Sequence, residues 1–197
     1  MKGLNKFLLT LTISAFTATT SFAAIGNAKI VELGCHRLER LVTLGKADET
    51  FLTKLKSLEL VVLTPTKPTD PSFKIIASQH AGADGTTKQV EMMMDAAGKG
   101  IAQVVKEGTE SDSAPVWGDK DAATLIEQSL HYVNDHASEH VELKPFQTGL
   151  KSLNLMQVTN NQGNKVARIE MISTATTQKL EVNLNEQGSV ESTNTVN

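Results

Sequence analysis

"LKSLELVVLT", residues 55–64, returns ninety-five positions later as "LKSLNLMQVT", residues 150–159, with six of ten residues identical. In the first copy Leu58, Leu60 and Val62 alternate with Glu59 and Val61, the period-two pattern of a half-buried strand. Extended without gaps, 30–64 aligns onto 125–159 at a constant offset of 95. Ten of 35 positions match, among them Glu32/Glu127, His36/His131, Phe51/Phe146 and Thr53/Thr148. A second block, "TTKQVEMMMDAAG" from Thr86, aligns onto "TTQKLEVNLNEQG" from Thr176 at an offset of 90. A period this long signals a domain-scale duplication rather than a solenoid unit.

Both copies open on a helical pattern. In "AKIVELGCHRLERLV" (28–42) Ile30, Val31, Cys35, Leu38, Leu41 and Val42 recur at helical spacing. In "DAATLIEQSLHYVND" (121–135) Leu125, Ile126, Leu130 and Val133 form the stripe, with Asp121 placed as N-cap. Strand alternation follows at Phe73/Ile75/Ala77 and Val90/Met92/Met94, then at Ala167/Ile169/Met171 and Leu180/Val182/Leu184. One apolar face per strand predicts antiparallel pairing with one covered side. "AGADGTT" (81–87) and "NNQGN" (160–164) supply hairpin turns, and Gly98 and Gly188 end matching strands. The prolines at 65, 68 and 71 make a loop. The fold class expected is α+β: two tandem repeats, each a helix packed on an antiparallel β-meander of about four strands. The division is a signal peptide at 1–23, repeat 1 at 24–108, a polar linker at 109–118 and repeat 2 at 119–197.

The chain opens as a secretory signal: Lys2 and Lys6, an apolar stretch over 7–16, and small residues ending in Ser21-Phe22-Ala23. Cleavage after Ala23 would leave 174 of the 197 residues. Without Lys2 and Lys6 the 19 basic residues fall to 17 against 22 acidic, a net charge of −5. That balance argues against nucleic acid or an anionic membrane as partners. No second apolar run is long enough to span a bilayer, so no membrane insertion is expected after cleavage. Cys35 is the single cysteine, so no intramolecular disulfide can form, and it reads as a buried thiol used as a small apolar residue.

A helix laid on a meander that ends "VEMMMDAAGKGI" resembles the PepSY family. In that family's closing strand an acidic residue is followed by a Gly and then by an apolar residue, as Asp95, Gly98 and Ile101 are here. Asn185, Gly188 and Val190 fit more loosely, because the acid has become Asn. The duplication also resembles the beta-lactamase inhibitory protein architecture, in which two such units form one sheet. The resemblance covers most of 28–195 and implies a secreted domain that binds or inhibits another protein without catalytic machinery.

One motif points elsewhere. "HASEH" (136–140) matches the inverted zinc-protease pattern, in which His136 and His140 share a helix face and Glu139 polarises a metal-bound water. Against it, the motif begins where the helix should end, "HVELKPF" after it reads as strand, and the equivalent stretch "LVTLG" (41–45) has no ligands. His131 could join His136 and His140 in weaker metal binding. His36 and His131 hold matching helix positions and read as a shared structural pair. Met92 and Met94 should face the core and Met93 the opposite side, and Trp117 reads as a plug between the copies. No Cys-x-x-Cys, G-x-S-x-G or phosphate-loop pattern is present.

The function expected is an exported, non-catalytic envelope protein, periplasmic or secreted. It would act as a protein-binding or inhibitory module without a cofactor, and its partner would be another exported or envelope protein. The alternative is a metal-binding protein or metal-dependent hydrolase using His136, Glu139 and His140. Processing is directly testable: intact-mass measurement of the exported protein should give a chain beginning at Ala24. Retained Met1 or a lipidated Cys35 would contradict it.

Overall fold

The computed structural model describes residues 25–80, 86–109, 115, 117, 119–160 and 162–197. The signal segment, the 81–85 turn and most of the 109–118 linker lie outside the described residues. In chain order the elements are α1 (Asn27–Thr43), α2 (Thr50–Thr53), β1 (Leu55–Val62), β2 (Phe73–Gln79), β3 (Thr86–Met94) and β4 (Gly100–Thr109). They continue as α3 (Ala122–His136), α4 (Lys144–Gly149), β5 (Leu150–Thr159), β6 (Lys165–Ser173), β7 (Lys179–Leu184) and β8 (Val190–Val196). No helix among them is long and apolar enough to cross a membrane.

The two long helices form where the apolar stripes lie. Ile30, Val31, Cys35, Leu38 and Leu41 are buried on α1, as are Leu125, Ile126, Leu130 and Val133 on α3. α1 stops at Gly45, whose φ of 64° lets its N–H donate to Val42 O (2.8 Å) and Lys46 N–H donate to Leu41 O (2.8 Å). This pair of bonds is a Schellman stop, which needs a residue free to adopt left-handed backbone. Asp121 does hold the N-cap position of α3, but its side chain makes no capping hydrogen bond.

All eight strands belong to one antiparallel sheet, ordered β4-β3-β2-β1-β5-β6-β7-β8. The expectation of two tandem repeats, each a helix on its own four-strand meander, is therefore corrected. The echoed phrase is the seam of a single sheet: β1 pairs with β5 through Ser57↔Asn154, Leu58↔Leu153 and Glu59↔Ser152. A separate four-strand unit would leave β1 as an open edge with unpaired N–H and C=O groups, and this pairing closes two such edges at once. The helices do not divide between halves either. α1 touches both β1 and β5, α3 touches β1, β6 and β8, and each of the short helices α2 and α4 touches both α1 and α3. Buried side chains from both halves accordingly form one hydrophobic core.

The segment "HVELKPF" is a second correction. It is not a strand: residues Val141–Leu143 make one 3-10 turn that runs into α4, with Pro145 in its first turn. Proline is tolerated there because that N–H has no helical acceptor anyway. Phe51 and Phe146, the matched aromatic pair of the two copies, sit on the short helices α2 and α4, and both are essentially fully buried. Each short helix is tied to a strand of its own half: Thr50 Oγ1 donates to Gln79 Oε1 (3.0 Å), and Ser173 Oγ donates to Pro145 O (2.6 Å).

Alternation along the strands holds. Leu58, Leu60, Ile75, Ala77, Val90, Met92 and Met94 are buried, as are Leu153, Leu155, Ile169, Met171, Leu180, Val182 and Leu184. Met93 points to the opposite side and is only partly buried, as alternation requires. Val62, at the end of β1, is 63% exposed, so the apolar face of that strand ends at Leu60. Truncating a fully buried Phe removes its transfer energy and leaves a cavity, together about 3–5 kcal/mol. Phe51→Ala and Phe146→Ala should therefore each lower stability by that amount in denaturant unfolding. A loss below about 1 kcal/mol, the range of surface changes, would contradict the shared core.

Candidate functional site

The Asp95-Gly98 and Asn185-Gly188 pairs that carry the family resemblance are turn devices. Asp95 Oδ1 accepts from the N–H groups of Ala97 (2.9 Å) and Lys99 (2.8 Å). Asn185 Oδ1 accepts in the same way from Gln187 (3.0 Å) and Ser189 (2.9 Å). Asn160 Oδ1 repeats the arrangement with Gln162 and Asn164 in the β5–β6 hairpin. In each turn the glycine three places on has positive φ: 78° at Gly98, 84° at Gly163 and 79° at Gly188. Only the side-chain oxygen is used, so Asn replaces Asp without loss. What separates the turns is their cover. A Cβ on Gly98 would stand 2.5 Å from Leu33 Cδ1 of α1, and one on Gly188 would stand 2.7 Å from Gln128 Oε1 of α3, whereas one on Gly163 would meet nothing.

The histidines at 36 and 131 meet the glutamates at 127 and 32 across the α1–α3 crossing. His36 Nε2 lies 3.4 Å from Glu127 Oε1, and His131 Nδ1 lies 3.9 Å from Glu32 Oε1. Glu and His stand four residues apart on each helix, so one face presents both, and the crossing exchanges them. Glu32 is 3% exposed, and its carboxylate takes Lys29 Nζ at 2.6 Å and Asn134 Nδ2 at 2.6 Å. A buried carboxylate requires such partners. His131 Nε2 is also 2.9 Å from Asp135 Oδ2. Of these, Glu127, His131 and Asp135 line a surface groove of about 530 Å³ beside α3, together with Tyr132, His136 and Val190.

The "HASEH" residues straddle the end of α3. His136 is its last residue, and His140 N–H donates to His136 O at 2.9 Å. The two rings approach edge to face with centroids 6.2 Å apart, while Tyr132 stacks obliquely on His136 at 4.5 Å. Glu139, 75% exposed, has Oε2 4.0 Å from His136 Nδ1, and His140 pairs with Glu142 at 3.3 Å. The two imidazoles are thus neighbours on the surface, and the carboxylate projects into solvent. The group of ligand-type side chains that does converge among the described residues is another one: His36, Glu39 and Glu127.

Cys35 lies fully buried in the core, its Sγ donating to Ala123 O at 3.7 Å. Burial pushes its thiol far above the usual range, and the carboxylates of Glu39, Glu127 and Glu32 push it further, so the nucleophilic thiolate is suppressed. Trp117 packs against the core, half-buried.

The sheet face turned away from the helices carries the feature that single-strand patterns do not disclose. The polar alternates read as generic solvent-side residues, but strand register assembles them into rows. One row runs Val104, Glu91, Ile76, Glu59, Ser152, Ile172 and Lys179 across seven strands. The next holds Asn154, Glu170 and Glu181. Charges here are fixed in pairs: Lys106 with Glu91, Arg168 Nη1 with Glu181 (3.1 Å) and Lys179 with Glu170 (3.1 Å). Arg168 Nε also donates to Asn183 Oδ1 at 2.8 Å. Val61, Ile76, Met93, Met156 and Ile172 lie half-buried among them.

Compared with protein-family models, with curated proteins and with solved structures, the chain finds no match in any of the three. The turns give a direct test. Gly→Ala is strained at each of Gly98, Gly163 and Gly188, by roughly 1 kcal/mol or more. Gly98→Ala and Gly188→Ala must in addition move the end of Leu33 or of Gln128, a small further cost, and should lose somewhat more stability than Gly163→Ala in thermal or denaturant unfolding. Equal losses at the three sites would contradict the covered-turn assignment.

Proposed function

We propose that this chain is an exported, non-catalytic protein whose open sheet face binds, and thereby inhibits or holds, another exported or envelope protein. The observation that carries the reading is the row-ordered face, where half-buried apolar side chains sit among charges already held in place by their neighbours. Protein interfaces that are not permanent have this mixed character, with apolar contacts inside a polar, charge-matched surround. Side chains anchored in a sheet lose little freedom on binding, which favours association. The partner such a face suits is a folded protein presenting a small apolar patch bordered by both signs of charge. The resemblance of the sequence to secreted binding and inhibitory domains supports the same reading, as does its signal-like start.

The test is partner capture with the wild-type chain and two kinds of variant. Ile76→Lys and Ile172→Glu place a charge in the middle of the open face, while Leu44→Lys changes an exposed residue on the helix side. A bound partner should be weakened about tenfold or more by either open-face change, equivalent to about 1.4 kcal/mol, and left unaffected by Leu44→Lys. Equal capture by all four proteins, with their melting temperatures preserved, would sink the assignment of this face.

A further inference from the structure

The two ends of the α1–α3 exchange are not equal. At the Glu32 end the carboxylate is neutralised by Lys29 and held by Asn134, both at 2.6 Å. At the offset of 95 that relates the two halves, Lys29 corresponds to Thr124 and Asn134 to Glu39. The cation has become a neutral hydroxyl, and the amide donor has become a second acid. Glu127 and Glu39 therefore face the same imidazole, with Glu127 Oε1 at 3.4 Å from His36 Nε2 and Glu39 Oε2 at 3.7 Å from His36 Nδ1. Among the described residues neither acid pairs with a lysine or arginine. Two carboxylates brought together with no such cation repel each other unless a positive charge stands between them.

We propose that His36, Glu39 and Glu127 bind a divalent transition cation of the zinc class, which bridges α1 and α3. One ligand atom from each residue lies within 4.8 Å of the other two. Ligand atoms about 2.0–2.2 Å from a tetrahedral ion stand roughly 3.3–3.6 Å from one another, so the three must close by about 1 Å. Their side chains can do so, being 47%, 36% and 28% exposed, with Glu39 one helical turn from His36. A single nitrogen of the imidazole would serve as ligand, with both carboxylates turning to that nitrogen's side and the other ring N–H left to solvent. An imidazole with two carboxylates favours a borderline ion over Mg²⁺ or Ca²⁺, which take oxygen ligands in greater number. Cys35, one residue away, is buried with its Sγ turned to Ala123 O and takes no part.

The experiment is calorimetric titration of the tag-free, chelator-treated chain with zinc chloride, with a melting curve at each ratio. One equivalent should bind, and the melting temperature should rise, because a ligand that joins two helices stabilises only the folded state. Affinity should fall tenfold or more in Glu127→Gln and in Glu39→Gln, substitutions that preserve size and should leave the metal-free melting temperature close to wild type. His136→Ala/His140→Ala should bind as tightly as wild type, and magnesium chloride should produce no shift. The assignment is overturned if zinc binds weakly at several sites, if it shifts no melting temperature, if binding is lost only in the His136/His140 double variant, or if magnesium acts equally.

Discussion

Three residue pairs between β1 and β5 hold the two halves of this molecule in one sheet. At their centre Leu58 stands opposite Leu153, its own counterpart at the offset of 95, and both are completely buried. Antiparallel pairing of a phrase with its copy about Leu58 exchanges the flanking positions across the seam: Ser57 meets Asn154, the copy of Glu59, and Glu59 meets Ser152, the copy of Ser57. Everything else follows from that juxtaposition. It sets the strand order, brings α1 beside α3 over a common core, and makes one face wide enough to carry rows of side chains across both halves.

The seam also explains why the long helices are coupled by polar contacts as well as apolar ones. α1 and α3 cross with Glu and His from each helix facing the other, so a surface exchange and a buried carboxylate arise from the same repeated pair. The buried Glu32 end is compensated by Lys29 and Asn134 and is a fixed structural element. The Glu127 end has an acid where the other has an amide, and retains room and charge for an ion. A duplicated phrase thus yields two local environments of opposite character, because the few positions at which the halves differ surround the same invariant histidine and glutamate.

The short helices show a second consequence. α2 and α4 each carry one large aromatic side chain into the core and touch both long helices, so neither half completes its hydrophobic contacts alone. The glycine turns at 98 and 188 add to this, since the backbone passes so close beneath α1 and α3 that a methyl group would collide. The same turn at Gly163 lies away from any helix, so the hairpin motif itself is local, and its packing is what distinguishes one copy from another.

Much of this was legible in the residues themselves. The helical stripes of α1 and α3, the alternation that buries Met92 and Met94 but not Met93, the burial of Cys35 and the matched pairs Phe51/Phe146 and His36/His131 all depend on periodicity or local turn chemistry. Such signals survive in one dimension because neighbours along the chain generate them. Which strand edges meet, and therefore that two meanders become one sheet, depends on backbone groups that every residue shares, and nothing in the side-chain pattern of β1 or β5 declares its partner. The helical turn at "HVELKPF" was hidden for a related reason: over so few residues an apolar alternation and a proline-led helix look alike, and packing against α1 and β6 decides between them. The convergence of His36 with Glu39 and Glu127, and the charge rows of the open face, join residues from different elements, so only the tertiary structure could bring them together.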